Sequence, residues 1–148
     1  MPILSPFFTS DHRSCDELLA TVETDAQAKQ WPQASTAWSR FEAMMRCHFE
    51  REEELLFPAF EQATGNTQGP TAMMRMEHDQ MRGLLDQLDA AVRAEDGRRF
   101  LDLSESLMLL IQQHNMKEEQ ILYPMCDEVV ADQAALLERI EARVPNAS

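Results

Sequence analysis

Apolar side chains recur every three or four residues along four long stretches of this chain, and this spacing is the period of an amphipathic α-helix. Proline or glycine interrupts the pattern at 31–32, 61–69 and 96–97. The pattern predicts four helices over about 11–29, 32–57, 70–95 and 98–123. Residues 1–9 are expected to form an extended lead-in. A short amphipathic helix over about 131–143 is expected to follow the fourth helix.

The connections between these helices are short, and short connections favour antiparallel neighbours. We therefore predict an all-α fold, an antiparallel up-down-up-down four-helix bundle with a short C-terminal helix. Glycine is scarce, with four in the chain, and no alternating run rich in Val, Ile and Thr indicates a sheet. The 148 residues are enough for one domain with a buried core, so a single domain over 1–148 is expected. Pro58 and Pro124 are predicted to end or kink the second and fourth helices.

All four histidines belong to a two-fold internal repeat. His48 opens the pattern H-x-x-x-E-E-x-L/I-L-F/Y-P, and His114 opens it again 66 residues later. His12 and His78 lie 36 residues upstream of these, and each is followed at +6 and +7 by two leucines. The repeat halves, about 8–60 and 74–126, indicate that the bundle is a duplicated helical hairpin.

Six polar residues occupy positions where the apolar stripes call for an apolar side chain: His12, His48, Glu52, His78, His114 and Glu118. A buried carboxylate without a partner is costly, so it becomes protonated or binds a cation. Residues four apart lie one above the other on a helix face, so the histidine and glutamate of each motif can approach the same ion. The pattern predicts two metal ions, each bound by the two histidines of one repeat half and bridged by both glutamates. Coordination positions remain for a bridging oxide or hydroxide and for an exogenous ligand.

Imidazole and carboxylate ligands without thiolate suit Fe or Mn and tolerate Zn. A structural zinc site is more often closed and contains cysteine. Cys15, Cys47 and Cys126 show no C-x-x-C spacing and are predicted to be reduced thiols of a cytosolic chain. The N-terminus lacks the basic segment of a signal peptide, so the expected location is cytoplasmic. A net charge of −13 and the lack of a long apolar run predict that the chain binds neither nucleic acid nor a membrane.

The paired H-x-x-x-E motifs in a predicted four-helix bundle resemble the hemerythrin-like (HHE cation-binding) domains, over about residues 8–126. The resemblance implies a non-haem di-iron centre that binds O2, or a related diatomic ligand such as NO, for sensing, storage or delivery. It implies the six residues named above as iron ligands. The oxygen-carrying hemerythrins have a fifth histidine one turn before the third-helix histidine, and Met74 stands there in this chain. Met74 is expected to be a core residue, with Glu77 or Glu53 as alternative ligands.

The other functional groups leave alternatives open. Asp11 and Glu77 precede a histidine and either orient an imidazole N–H or face solvent. Glu53 and Glu119 lie about 100° round the helix from the predicted ligands, which favours an outer position or the surface over direct ligation. Tyr123 replaces Phe57 of the repeat and either supplies a hydroxyl near the site or closes it as an aromatic plug.

Two further functions compete with ligand binding. A di-iron oxidoreductase acting on O2, peroxide or NO is favoured by the open position at Met74 and by Cys15, which is expected to line the site. Iron storage or sensing is the other alternative. The sequence assigns no catalytic residue, names no redox or signalling partner, and is compatible with a monomer or a homodimer.

Overall fold

The computed structural model describes residues 2–146, which form helices and short connections with no strand among them. The α-helices of this described part are α1 (Leu4–Gln27), α2 (Trp31–Arg51), α3 (Phe57–Thr64), α4 (Pro70–Arg93), α5 (Gly97–Lys117), α6 (Tyr123–Val129) and α7 (Gln133–Ala142). Two π-helical turns complete them: the first, Glu52–Leu56, joins α2 to α3, and the second, Glu118–Leu122, joins α5 to α6. The all-α prediction is confirmed.

Helix α1 begins at Leu4, so the predicted extended lead-in over 1–9 is wrong for residues 4–9. Pro6 lies in the first turn of α1. The backbone N–H groups of this turn have no carbonyl acceptor within the helix, so proline, which lacks an N–H group, is tolerated. The Asp127 carboxylate, from α6, accepts the N–H groups of Leu4 at 3.1 Å and Ser5 at 3.4 Å. Residues 4–9 therefore belong to the first two turns of α1, which place Phe8 in the buried interior.

The sequence predicts that Pro58 and Pro124 either end or kink their helices. Neither proline ends a helix in the structure. Each follows a five-residue π-helical turn and occupies the first turn of the next α-helix, where its missing N–H is tolerated. A π-helical turn is wider than an α-helical one, because its hydrogen bonds reach one residue further. Helix α3 then continues to Thr64, so the loop predicted over 61–69 is shorter. Gly65 ends α3 in the left-handed conformation, with φ of 70°.

The four long helices pack into a bundle. Helix α1 lies against α2 and α5, and α4 lies against α2 and α5. Asp96 caps α5 by accepting the backbone N–H of Arg99 at 3.1 Å. Helix α7 packs on the first π-helical turn through Leu136 and Ile140, as expected for a helix that covers one end of the bundle. These contacts are consistent with the predicted bundle, and the up-down-up-down order stays a prediction.

Two apolar clusters form the core. The central cluster contains, among others, Cys15, Leu19, Phe41, Met45, Phe49, Met81, Leu85, Phe100 and Leu107. The end cluster contains, among others, Leu4, Phe8, Leu56, Phe57, Phe60, Met74, Leu122, Tyr123 and Ile140. On α1, His12 lies between Phe8 of the end cluster and Cys15 of the central one. The histidines therefore occupy a polar layer between the two clusters.

No helix within residues 2–146 combines the length and apolar character needed to cross a bilayer. The cytoplasmic location stays a prediction from sequence.

Candidate metal centre

The structure brings all six predicted site residues together in this polar layer. Each long helix of the bundle supplies one histidine, and each π-helical turn supplies its first residue, a glutamate. The six are His12 on α1, His48 on α2, Glu52 in the first π-helical turn, His78 on α4, His114 on α5 and Glu118 in the second π-helical turn. All six are buried, and both glutamates are 0% exposed.

The four histidines form two pairs, one from each repeat half. The Nε2 atoms of His12 and His48 are 3.2 Å apart, and so are those of His78 and His114. Glu52 lies between the pairs. Its Oε1 atom is 3.3 Å from Nε2 of His48 and 3.1 Å from Nε2 of His78.

Glu118 also contacts both pairs, with one oxygen for each. Its Oε1 atom is 3.0 Å from Nε2 of His12, and its Oε2 atom is 3.2 Å from Nε2 of His114. Each glutamate therefore occupies a bridging position. Donor atoms within 4.8 Å of one another define two groups that could hold an ion: Glu52, His78, His114 and Glu118 in one, and His12, His48 and Glu118 in the other.

A carboxylate holds the Nδ1 atom of every histidine in the cluster. The Nδ1-to-oxygen distances are 2.7 Å for His12 and Glu119, 3.2 Å for His48 and Asp11, 2.6 Å for His78 and Glu53, and 2.7 Å for His114 and Glu77. An ionised carboxylate only accepts hydrogen bonds, so each Nδ1 carries the proton and donates it. In the neutral imidazole, Nε2 then keeps its lone pair. Four Nε2 lone pairs converge on the centre of the layer.

This arrangement needs positive charge at its centre. Two lone pairs 3.2 Å apart repel each other unless a proton or a metal ion lies between them. In addition, Oε1 of Glu52 and Oε2 of Glu118 are buried and accept no hydrogen bond from the described residues. A buried carboxylate oxygen without a partner costs folding free energy, which a bound cation would recover.

The distances fit metal ions. Ligands about 2.1 Å from an octahedral ion lie about 3.0 Å apart at neighbouring corners. Neighbouring donor atoms in the cluster are 3.0 to 3.3 Å apart. The donor set is imidazole nitrogen and carboxylate oxygen, which suits iron or manganese. The residues present therefore fit a pair of metal ions.

Without metal, protons supply the positive charge. Burial lowers the pKa of His48, but the charge of Glu52 and the hydrogen bond with Asp11 outweigh it, so the net pKa lies well above the usual value. Burial opposes protonation of His114 as well, yet the charge of Glu118 raises its pKa to about 9. A metal ion competes with these protons for the same lone pairs.

Four outer carboxylates complete the site, and the repeat relates them in pairs. Asp11 and Glu77 hold the histidine of the helix that follows theirs, which favours the orienting role over the solvated one. Glu53 and Glu119, from the π-helical turns, reach across to α4 and α1. The other oxygen of Glu53 accepts a hydrogen bond from Arg82, and that of Glu77 accepts one from Lys117, so both oxygens of each carboxylate have partners outside the cluster centre.

Met74 is buried in the end cluster and is 3% exposed, in agreement with the expected packing role. Tyr123 is a polar neighbour of the cluster that the predicted ligand set lacks. Its hydroxyl oxygen is 2.6 Å from Oε2 of Glu52, 2.8 Å from Oε1 of Glu118 and 3.1 Å from Nε2 of His12. Burial and the charges of Glu118 and Glu52 raise the pKa of Tyr123 well above its usual value, so the metal-free protein keeps the phenol. The sequence signal was the break in the repeat at this position.

A small cavity adjoins the cluster on the side of the central apolar cluster. His12, His48 and His114 form its polar wall, and the facing side chains include Cys15, Met81 and Ile111. It has room for about one water-sized molecule. Burial raises the pKa of Cys15 to about 12, so this wall carries a neutral thiol. Cys15 therefore lines the site as predicted.

A buried layer of histidines and glutamates in a helical bundle is an arrangement that could hold metal ions. The chain matches the family described as the hemerythrin HHE cation binding domain over residues 4–126. It therefore belongs to this family. Comparisons with curated proteins and with solved structures returned no match.

Proposed function

We propose that this protein is a non-haem di-iron protein that binds O2, or a related diatomic ligand such as NO, for sensing, storage or delivery. The proposed ligands are the six residues of the polar layer, with the glutamates bridging two ions. We also infer a single domain over 1–148 whose long helices run up-down-up-down. The observation that carries the proposal is the convergence of four imidazole lone pairs, each fixed by a carboxylate on Nδ1.

The donor atoms support the choice of iron for the proposed ions. Four nitrogens and two carboxylates give each ion two imidazoles and a share of both bridges. Such a set suits Fe and Mn and tolerates Zn. Because four protein donors do not fill an octahedral sphere, positions remain for a bridging oxide or hydroxide and for an exogenous ligand. Bound iron would supply reversible redox chemistry and affinity for diatomic ligands.

The size of the ligand is limited by the cavity beside the cluster. It has room for no more than about one water-sized molecule, which excludes an organic substrate in this conformation. Met81 and Ile111 provide apolar lining for the cavity. A neutral, apolar ligand is compatible with this lining, because it gives up no hydrogen bonds to water when it is buried. The neutral thiol of Cys15 adds no charge there.

An oxidoreductase that acts on O2, peroxide or NO is the second candidate. Tyr123 favours it, because a phenol within 3.1 Å of three cluster atoms is a side chain that can itself be oxidised. The cavity does not discriminate between the two functions, since both begin with a ligand of two heavy atoms.

Rapid mixing of the reduced, iron-loaded protein with O2 separates these functions. We expect an oxygenated spectrum that persists and reverses when O2 is removed. One-way oxidation with steady consumption of an added reductant would contradict ligand carriage and support the oxidoreductase. The same experiment with NO tests the other diatomic ligand.

A further inference from the structure

Tyr123 breaks the two-fold symmetry of the cluster. It is the first residue of α6, and its counterpart in the repeat, Phe57, is the first residue of α3. The Tyr123 ring lies beside His12, with centroids 5.6 Å apart and planes inclined by 32°. The Phe57 ring lies beside His78 in the same way, at 5.7 Å and 21°. The two rings occupy equivalent places, and the Tyr123 hydroxyl is the group that distinguishes them.

The hydroxyl faces more acceptors than it can satisfy. It has one proton to donate, and three acceptor atoms lie within 3.1 Å. The shortest distance, 2.6 Å, joins it to Oε2 of Glu52, which is the best placed to accept that proton. The lone pairs of its oxygen then face Glu118 and His12 in a fully buried site. These lone pairs repel one another in the absence of a positive charge. A cation bound among them would be attracted to all three atoms and would offset this repulsion.

We propose that the phenolic oxygen of Tyr123 is a seventh ligand of the metal centre and binds the ion held by His12 and His48. This inference rests on the proposed function. The Tyr123 oxygen, Nε2 of His12 and Oε1 of Glu118 form a triangle with sides of 3.1, 2.8 and 3.0 Å. These sides match one face of an octahedron with bonds of about 2.1 Å, whose edges are about 3.0 Å long.

Binding as phenolate requires Tyr123 to lose its proton. The O–H bond breaks, a bond between the oxygen and the ion forms, and the proton leaves to solvent as the ion brings positive charge into the site. Glu52 provides the first acceptor on this route, at 2.6 Å. No electron is transferred in this step, so no co-reactant is needed.

The consequence is that the two metal positions differ. The position beside His12 gains a hard, anionic oxygen ligand, which favours trivalent over divalent iron. The metal position beside His78 faces the Phe57 ring, which provides no oxygen ligand. We therefore expect one ion to be bound more tightly and to be held more firmly in the ferric state than the other.

The test uses the full-length protein loaded with ferric iron. Because Tyr123 is the one tyrosine of the chain, any iron–phenolate signal of the unmodified protein originates from it. We expect a phenolate-to-iron charge-transfer band in visible absorption, and phenolate vibrations in resonance Raman spectra excited in that band. Y123F should lose both signals and bind one of its two ions at least about tenfold more weakly.

The matched control is F57Y, which adds the same hydroxyl to the equivalent ring and keeps Tyr123. It should retain the charge-transfer band. An unmodified protein that holds two irons without phenolate vibrations would overturn the tyrosine ligand and leave the proposed function intact. An unmodified protein that holds no iron would instead contradict the proposed function. The spectrum of the unmodified protein decides the matter even if Y123F does not fold.

Discussion

Replacing Glu53 by alanine perturbs one imidazole of the cluster without removing a proposed metal ligand. Oε2 of Glu53 accepts the Nδ1 proton of His78 at 2.6 Å, and Oε1 is held by Arg82 at 3.0 Å. Once this acceptor is lost, the His78 proton is free to move to Nε2, which would then lack the lone pair that faces the cluster. We therefore expect E53A to weaken metal binding.

The expected size of the effect follows from the geometry. Loss of an outer hydrogen-bond partner of a metal-binding histidine costs about 10- to 100-fold in metal affinity, or about 1.4 to 2.7 kcal/mol. The loss of metal affinity in E53A should lie near the upper end of this range, because the Glu53 side chain is only 20% exposed and is held in place by Arg82. Its repeat counterpart Glu119 is 37% exposed, so E119A should lie nearer the lower end.

The assay is an anaerobic competition titration of ferrous iron against a chelator of known affinity. The matched control is E54A, which removes the neighbouring carboxylate of the same π-helical turn, where Glu54 is exposed and pairs with Arg143. E54A should bind iron as the unmodified protein does. Equal iron affinities for E53A and E54A would refute the argument that Nδ1 contacts orient the imidazoles toward metal.

Three further predictions follow from the same contacts. E118A should lose both ions together, because Glu118 contacts both histidine pairs, and metal analysis that finds one ion retained would contradict bridging. The folded-state pKa of His114 is about 9, above the unfolded value of 6.5, so protonation of His114 stabilises the folded metal-free protein. This stabilisation should be lost as the pH rises from 6.5 to 9. A Tm that is constant or rises over this interval would contradict the prediction. R51M should destabilise the metal-free protein by about 1.5–3 kcal/mol, because it removes the guanidinium that donates hydrogen bonds to both oxygens of buried Asp11. R46M, at an exposed ion pair, should cost less than about 1 kcal/mol, and equal urea midpoints for the two variants would contradict this prediction.

The six residues of the cluster could be predicted from the sequence because metal ligands must interrupt an apolar stripe. A histidine or glutamate on the buried face of a helix is costly, and the 66-residue repeat shows that the same interruptions occur twice. The periodicity that predicts the helices therefore also points to the site. They come together in one layer because each long helix contributes its histidine at the same level of the structure.

The roles of Glu53 and Glu119 could not be settled from the sequence. Regular helix geometry places them about 100° from the ligand face, and whether they hold an imidazole or face solvent depends on the neighbouring helix. Both lie in π-helical turns, whose extra residue changes the direction of the side chains. Sequence periodicity gives no signal for such a turn, so the contacts with His78 and His12 appear in the structure alone.

The N-terminal turns of α1 lie outside the predicted first helix, which begins at about residue 11. Pro6 lies in the first of these turns, where proline is compatible with a helix. The partner that caps this turn, Asp127, lies 123 residues from Leu4, and a contact at that separation has no local sequence signal. The repeat marks Tyr123 as an asymmetry, but it carries no signal for the contact of the Tyr123 hydroxyl with both glutamates.

The central claim is that the polar layer holds two metal ions. The most direct test is the metal content per chain of the protein purified after expression in iron-replete medium, measured by elemental analysis. We expect two irons per chain. A protein that is folded and helical but contains no metal, and takes none up when iron is added, would contradict the account.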